Sequence, residues 1–194
     1  MFNKNLNNTT ITKKGVTMVK LVFTLIFTSL IIFANAQDLK FLNGEIKAHT
    51  EIFGDSDINP STKNITSHLS IDKNIDSLKG IILLNTLSLH SNNQERDFSM
   101  YEVLNSSKFP RIFFKIISIK KLKKSYELKG FLTLNGIEKQ LTTSAQIKQE
   151  NEKLVLDGNF FIKLTSFNIQ PPSLLFLKVR DKIDISYHLN YIKG

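Results

Sequence analysis

Residues 182–191 alternate without a break: Ile183, Ile185, Tyr187, Leu189 and Tyr191 are apolar, and Lys182, Asp184, Ser186, His188 and Asn190 stand between them. Successive side chains of a strand point to opposite faces, so this spacing predicts a β-strand with one buried face. The same period of two recurs along the chain. Leu42, Ile46 and Ala48 form one set, Ile65, Ser67, Leu69 and Ile71 the next, and residues 78–89 another. Ile112, Phe114, Ile116 and Ser118 follow, then Tyr126, Leu128, Gly130, Leu132 and Leu134. Leu141, Ala145 and Ile147 precede a last interior set of Leu154, Leu156, Gly158, Phe160 and Ile162.

Between these runs sit turn residues: Gly54-Asp55, Asn59-Pro60, Lys73-Asn74, Asn135-Gly136 and Glu150-Asn151. Asn135-Gly136 is the strongest of them, because a two-residue hairpin loop needs positive φ at both central positions. Many strands joined by short turns indicate an antiparallel sandwich or barrel. One segment departs from the period. Residues 94–105 (QERDFSMYEVLN) place Phe98, Tyr101 and Val103 or Leu104 at helical spacing. A short helix is expected there, ending before Pro110, since the residue ahead of a proline disfavours helical dihedrals. The phenylalanines after Pro110 then open a new strand.

The N-terminus reads differently from the rest. Residues 21–33 (LVFTLIFTSLIIF) are apolar, Lys20 precedes them, and Ala34-Asn35-Ala36 is a small-x-small cleavage signature. The run is short for a membrane span, which takes ~20 apolar residues. Residues 1–36 are therefore expected to be an export signal, with 1–17 an over-long leader or an over-extended start and Met18 at a more ordinary position. Residues 37–194 are expected to be a single domain, periplasmic or secreted. Of the net charge of +9, four units come from Lys4, Lys13, Lys14 and Lys20, so +5 remains after cleavage. That balance gives little reason to expect a nucleic-acid partner. With no cysteine, neither disulfides nor thiol chemistry enter.

Signals for catalysis or metal binding are weak. His49, His68, His90 and His188 are scattered, with His68 and His188 on the polar phase of their strands, and no metal-binding spacing joins them. No G-x-S-x-G elbow is present. The sequence nominates no catalytic residue, metal or cofactor, and an enzyme is not expected. The densest charge run is Lys120 to Lys124 (KKLKK), either a solvated hairpin end or a contact for an anionic membrane surface, worth ~1 kcal/mol per basic residue.

Four stretches carry a resemblance. Arg96-Asp97 with YEVLNSSKFPRIFFK, then YELKGFLTLNGIEKQLTTSAQI, LTSFNI and VRDKIDISYHLNYI, resemble in order the YceI-like family of exported lipid-binding proteins. Gly130, Leu132, Thr133, Leu134 and Gly136 match that family's Gly-x-Leu-Thr-x-x-Gly hairpin. Ser166-Phe167-Asn168-Ile169 replaces its Asp-Phe-Gly-Ile, and Phe109-Pro110 its Tyr-Pro. The resemblance covers residues 94–192. It implies an all-β, antiparallel, lipocalin-like β-barrel of about eight strands with a short inserted helix, holding an isoprenoid or other long-chain lipid in a hydrophobic tunnel.

A barrel of that size is just wide enough to be filled by its own side chains or to hold one small ligand. Fifteen phenylalanines and no tryptophan suit a hydrocarbon lining or a plain core equally. The candidate lining is the inward set Ile112, Phe114, Ile116, Leu132, Leu134, Phe160, Ile162, Ile183 and Ile185. Two segments are candidates for the mouth: the proline-led loop 171–177, with Phe176, and the helix, with Arg96 and Asp97 at its start. Those two residues can pair with each other, cap the helix or hold a lipid head group. A long-chain lipid or isoprenoid is the expected partner, with transient contact to a membrane surface; the oligomeric state is left open, a dimer included. The alternative is a ligand-free interaction or stress-response module whose barrel only displays loops.

Overall fold

In the computed structural model the alternating segments pair into a sheet that closes on itself. The structure describes residues 36–52, 56–174 and 177–194, and nearly all of the expected export signal, the Gly54-Asp55 turn and Phe176 lie outside them. β1 (Gln37–Ile52) is the longest strand, and short β2 (Ser56–Ile58) and β3 (Ser61–Thr62) fold back onto its far end. A meander follows: β4 (Ile65–Ile71), β5 (Lys79–Asn85), β6 (Arg111–Lys121), β7 (Tyr126–Leu134), β8 (Ile137–Glu150) and β9 (Lys153–Lys163). A separate ribbon, β10 (Ser173–Leu174) with β11 (Leu177–Lys178), precedes β12 (Lys182–Lys193), which pairs with β9.

Closure is the work of β1. Residues 39–49 pair antiparallel with residues 184–193 of β12, and Gln37 to Leu39 pair with Leu69 to Ile71 of β4. Among the described residues, eight strands thus form a closed antiparallel barrel, which removes the unpaired edges an open sheet would leave. The Asn135-Gly136 turn has φ of 51° and 70°, as its two-residue hairpin requires. Asn168 also has positive φ, 55°, so asparagine serves where the family pattern carries glycine.

Two β-bulges shift the phase of the alternation. Leu42 is the extra residue between Phe41 and Asn43, so Leu39 and Phe41 face inward below it and Ile46 and Ala48 above it. Leu42 itself is 46% exposed, contrary to the inward position expected for it. Ile117 is the extra residue in β6; it is 47% exposed, Ser118 is exposed as well, and Ile119 takes the buried place expected for Ser118. The strand expected over residues 78–89 ends at Asn85, where the Asn85 side chain accepts from the Leu87 amide and a 3-10 turn follows.

The helix is where helical spacing puts it. α1 (Gln94–Val103) starts at Asn93, whose side chain accepts from the Arg96 amide, and acids occupy its first turn. It lies in the long connection between β5 and β6. Tyr101 fastens it, donating its hydroxyl to the carbonyl of Leu89 at 2.7 Å.

The barrel is filled at one end. Leu39, Leu69, Ile71, Ile119, Leu154 and Tyr191 pack there, joined by Leu78 from the loop after β4. A second cluster at the opposite end contains Leu132, Leu134, Ile162, Leu164, Phe167 and Ile169.

Candidate functional site

Seven of the nine expected lining residues meet in one place. Ile112, Phe114, Leu132, Leu134, Phe160, Ile162 and Ile185 surround a cavity of about 130 Å³ inside the barrel. An outer lobe of about 570 Å³ adjoins it, within the size range of small-molecule sites. Ala48, Leu89, Ile112, Leu134, Ile162 and Ile185 are walls of both lobes. Ile183 lines the outer lobe only. Ile116 does neither: it lies one inward position further down β6, at 2% exposure in the filled core, where neighbouring side chains occupy the interior.

The inner wall is almost wholly hydrocarbon. Its polar side chains are Thr143 and Tyr187, and Thr143 Oγ1 donates to the carbonyl of Asn159 at 3.0 Å. Tyr187 faces Gly158 across the β12–β9 pair, and its ring lies where a side chain on Gly158 would be. Phe114 covers Gly130 in the same manner. Glycine at these two points lets aromatic rings lie flat against the barrel wall. Alternation alone placed Tyr187 inward, but nothing in the sequence distinguished it from Tyr191, four residues on.

The outer lobe is mixed. Met100 and Val103 of α1 and Leu104 at its C-cap bring apolar groups, while His49, Thr50, Ser91, Asn93, Arg96 and Asp97 bring polar ones. Pro172 and Ser173 contribute from the loop expected to form the mouth. So α1 covers one side of the opening, and Arg96 and Asp97 both reach it.

Asp97 has a structural task. It is 7% exposed; one carboxylate oxygen accepts from the Ser91 amide at 2.8 Å and from Ser91 Oγ at 2.7 Å. The other oxygen lies 3.4 Å from His90 Nδ1. The capping role considered for Arg96-Asp97 falls instead to the Asn93 side chain. A serine, a histidine and an aspartate are therefore adjacent, but the carboxylate sits between the other two. In nucleophilic catalysis the histidine must stand between serine and aspartate so that its imidazole takes the serine proton. Here the Ser91 hydroxyl donates to Asp97, an arrangement that holds a helix in place.

Ion pairs border the opening. Arg180 reaches Glu51 at 3.3 Å and Asp184 at 3.3 Å, and Lys182 reaches Asp184 at 2.6 Å. The Lys182 hydrogen bond is the main reason the Asp184 carboxyl is held below the usual carboxylate range. His49, on β1, bonds Asn59 at 2.6 Å. Lys120 to Lys124 are far from this rim: β6 enters from the open end at Ile112 and finishes with them at the filled end.

Comparison with known proteins fits this geometry. A UPF0312 protein of Yersinia enterocolitica is 35% identical over 106 residues, which cover 50% of this chain and 55% of that protein. A UPF0312 protein of Yersinia pestis matches to the same extent, so the chain spans about half the length of the curated relatives it matches. Among solved structures, BcnA of Burkholderia cenocepacia superposes with a TM-score of 0.67 at 17% identity, covering 76% of this chain and 95% of that one. A domain from Saccharophagus degradans described as polyisoprenoid-binding gives 0.65 at 10% identity, over 82% and 99%. At these identities the structural likeness speaks for the fold. The family model of the YceI-like domain matches residues 36–191, nearly all of the described barrel, and the chain belongs to the YceI-like domain family.

Proposed function

We propose that this protein binds a long-chain lipid, of isoprenoid or similar type, with the chain inside the barrel and the other end in the lobe beneath α1. The observation that carries this reading is the apolar inner cavity, which shares six wall residues with a larger lobe beside it. An apolar chain buried there contributes ~0.8 kcal/mol per methylene, so binding needs no strong polar contact. The Saccharophagus neighbour, described as polyisoprenoid-binding, supports the same class of ligand.

The setting we propose is the periplasm, reached by the leader 1–36, with residues 37–194 as a carrier or store of the lipid. Extraction of the protein purified from cells expressing the full chain, followed by lipid mass spectrometry, tests the reading. A stoichiometric long-chain lipid is expected, along with a matching adduct in native mass spectrometry. Protein that arrives lipid-free and takes up no long-chain probe would overturn it.

A further inference from the structure

The inner lobe has a solid floor. Ile82, Leu128, Leu156 and Leu189 wall the cavity and belong at the same time to the core cluster of the filled end. Phe114 stands at the boundary. It lines the cavity and packs against both core clusters, with its ring over Gly130. The four aliphatic side chains come from β5, β7, β9 and β12, and each is nine-tenths buried or more. A floor drawn from four strands at native packing density does not open by turning one side chain.

Volume then limits what enters. An apolar cavity of about 150 Å³ holds one benzene ring, about six carbons. The inner lobe, about 130 Å³, thus takes about five carbons, the size of one isoprene unit. On the same scale the outer lobe of about 570 Å³ takes about 20 more. Part of that lobe is walled by Arg96, Asp97, His49 and Thr50, which suit the polar end of a ligand rather than its chain. A chain longer than this reaches the floor with carbons still uncovered. Each methylene that leaves a bilayer without entering the barrel weakens transfer about 4-fold, equivalent to ~0.8 kcal/mol.

We infer that Phe114 and the four aliphatic side chains beside it are a chain-length stop, which makes the protein selective for isoprenoid-type chains of about 15 to 25 carbons. This rests on the lipid-binding reading above and narrows it. The preferred ligand is a chain of three to five isoprene units, with its tip in the inner lobe and its polar end in the outer one.

The test is a competition drawn from a membrane. The protein purified from cells expressing the full chain is stripped of lipid. It is then incubated to constant composition with phosphatidylcholine vesicles carrying equimolar geranylgeraniol, of four isoprene units, and solanesol, of nine. After the vesicles are floated away, the protein fraction is extracted and quantified by liquid chromatography–mass spectrometry. Geranylgeraniol is expected to exceed solanesol by about 100-fold or more, since many solanesol carbons stay uncovered. Comparable amounts would overturn the stop and leave the lipid-binding reading standing. If the wild type takes up neither alcohol, that reading fails and this inference fails with it.

A second competition, between geranylgeraniol and geranylfarnesol, one unit longer, locates the stop. Phe114→Leu removes about three carbons from the floor, so the longer-to-shorter ratio should rise by about 10- to 60-fold over the wild type. Phe161→Leu, which alters a ring 55% exposed on the outer face, should leave the ratio unchanged. A folded Phe114→Leu with the wild-type ratio would overturn the role of Phe114. The solanesol competition needs no variant and decides the length limit even where Phe114→Leu does not fold.

Discussion

Tyr187 and Tyr191 point the same way from β12, and the protein treats their hydroxyls differently. Burial raises both pKa values, Tyr191 to about 12 even though its bond to Ser67 pulls the other way. The sign of the linkage follows. Above pH 10 the unfolded chain loses phenolic protons that the folded chain keeps, so stability is intact below that pH and falls above it. In an alkaline titration, phenolate absorbance from Tyr187 and Tyr191 is therefore expected only together with loss of the far-ultraviolet β signal. Phenolate from these two in a still-folded barrel would contradict their burial. Gly158 offers a second check. Alanine there collides with the Tyr187 ring. Gly158→Ala should lose about 1–3 kcal/mol in denaturant unfolding, the range for overpacking, and should also shrink the inner cavity.

At the scale of elements, the important joints are those that hold loops over the open end. α1 is tied down by Asp97 at its start and Tyr101 on its body. Removing the carboxylate leaves the Ser91 amide without its acceptor. Asp97→Ala is expected to cost about 1–3 kcal/mol and to speed release of bound lipid, measured by stopped-flow displacement. A second joint links β9 to β12. Asp181 accepts from the Thr165 amide at 2.9 Å and its hydroxyl at 2.8 Å, and its own carbonyl accepts from Leu164. Desolvation pushes the Asp181 pKa up, but the Thr165 bonds, with Lys163 and the Leu164 amide, outweigh it and hold the carboxyl below the usual carboxylate range. A depressed folded pKa stabilises above the unfolded value and loses that contribution as pH falls through the folded one. The melting temperature is thus expected to drop below about pH 4, and Asp181→Asn should show a smaller drop.

The described residues form a barrel filled at one end and hollow toward the other. Ala48 stands where the two lobes meet, paired with Ile185 across the seam that closes the sheet. Ala48→Phe should plug that passage without unfolding the protein, because the added ring enters existing space. Excluding three methylenes from the inner lobe, at ~0.8 kcal/mol each, weakens binding of a long chain by about 50-fold, readable by fluorescent-probe displacement. Lys120 to Lys124 sit at the filled end, so any membrane contact they make turns the opening away from that surface.

Much of this was legible in one dimension. Alternation with period two identifies the barrel strands, because consecutive side chains of a strand must face opposite sides whatever else the chain does. Asn135-Gly136 announces its hairpin, since few other pairs accept positive φ twice in succession. The helical spacing around Phe98 and Tyr101 locates α1 to within two residues of its end. The bulges at Leu42 and Ile117 were not legible: an inserted residue is defined by what lies opposite it on another strand, and only pairing shows that. Nor could any strand say where the barrel is hollow. Phe114 and Ile116 are equivalent in the alternation, yet one borders the cavity and the other is packed solid. That difference is set by the combined volume of side chains from eight strands at one height, and so is the isolation of the Tyr187 hydroxyl. Local order along the chain determined which faces turn inward; only the assembled barrel decided where inward side chains touch and where they leave room.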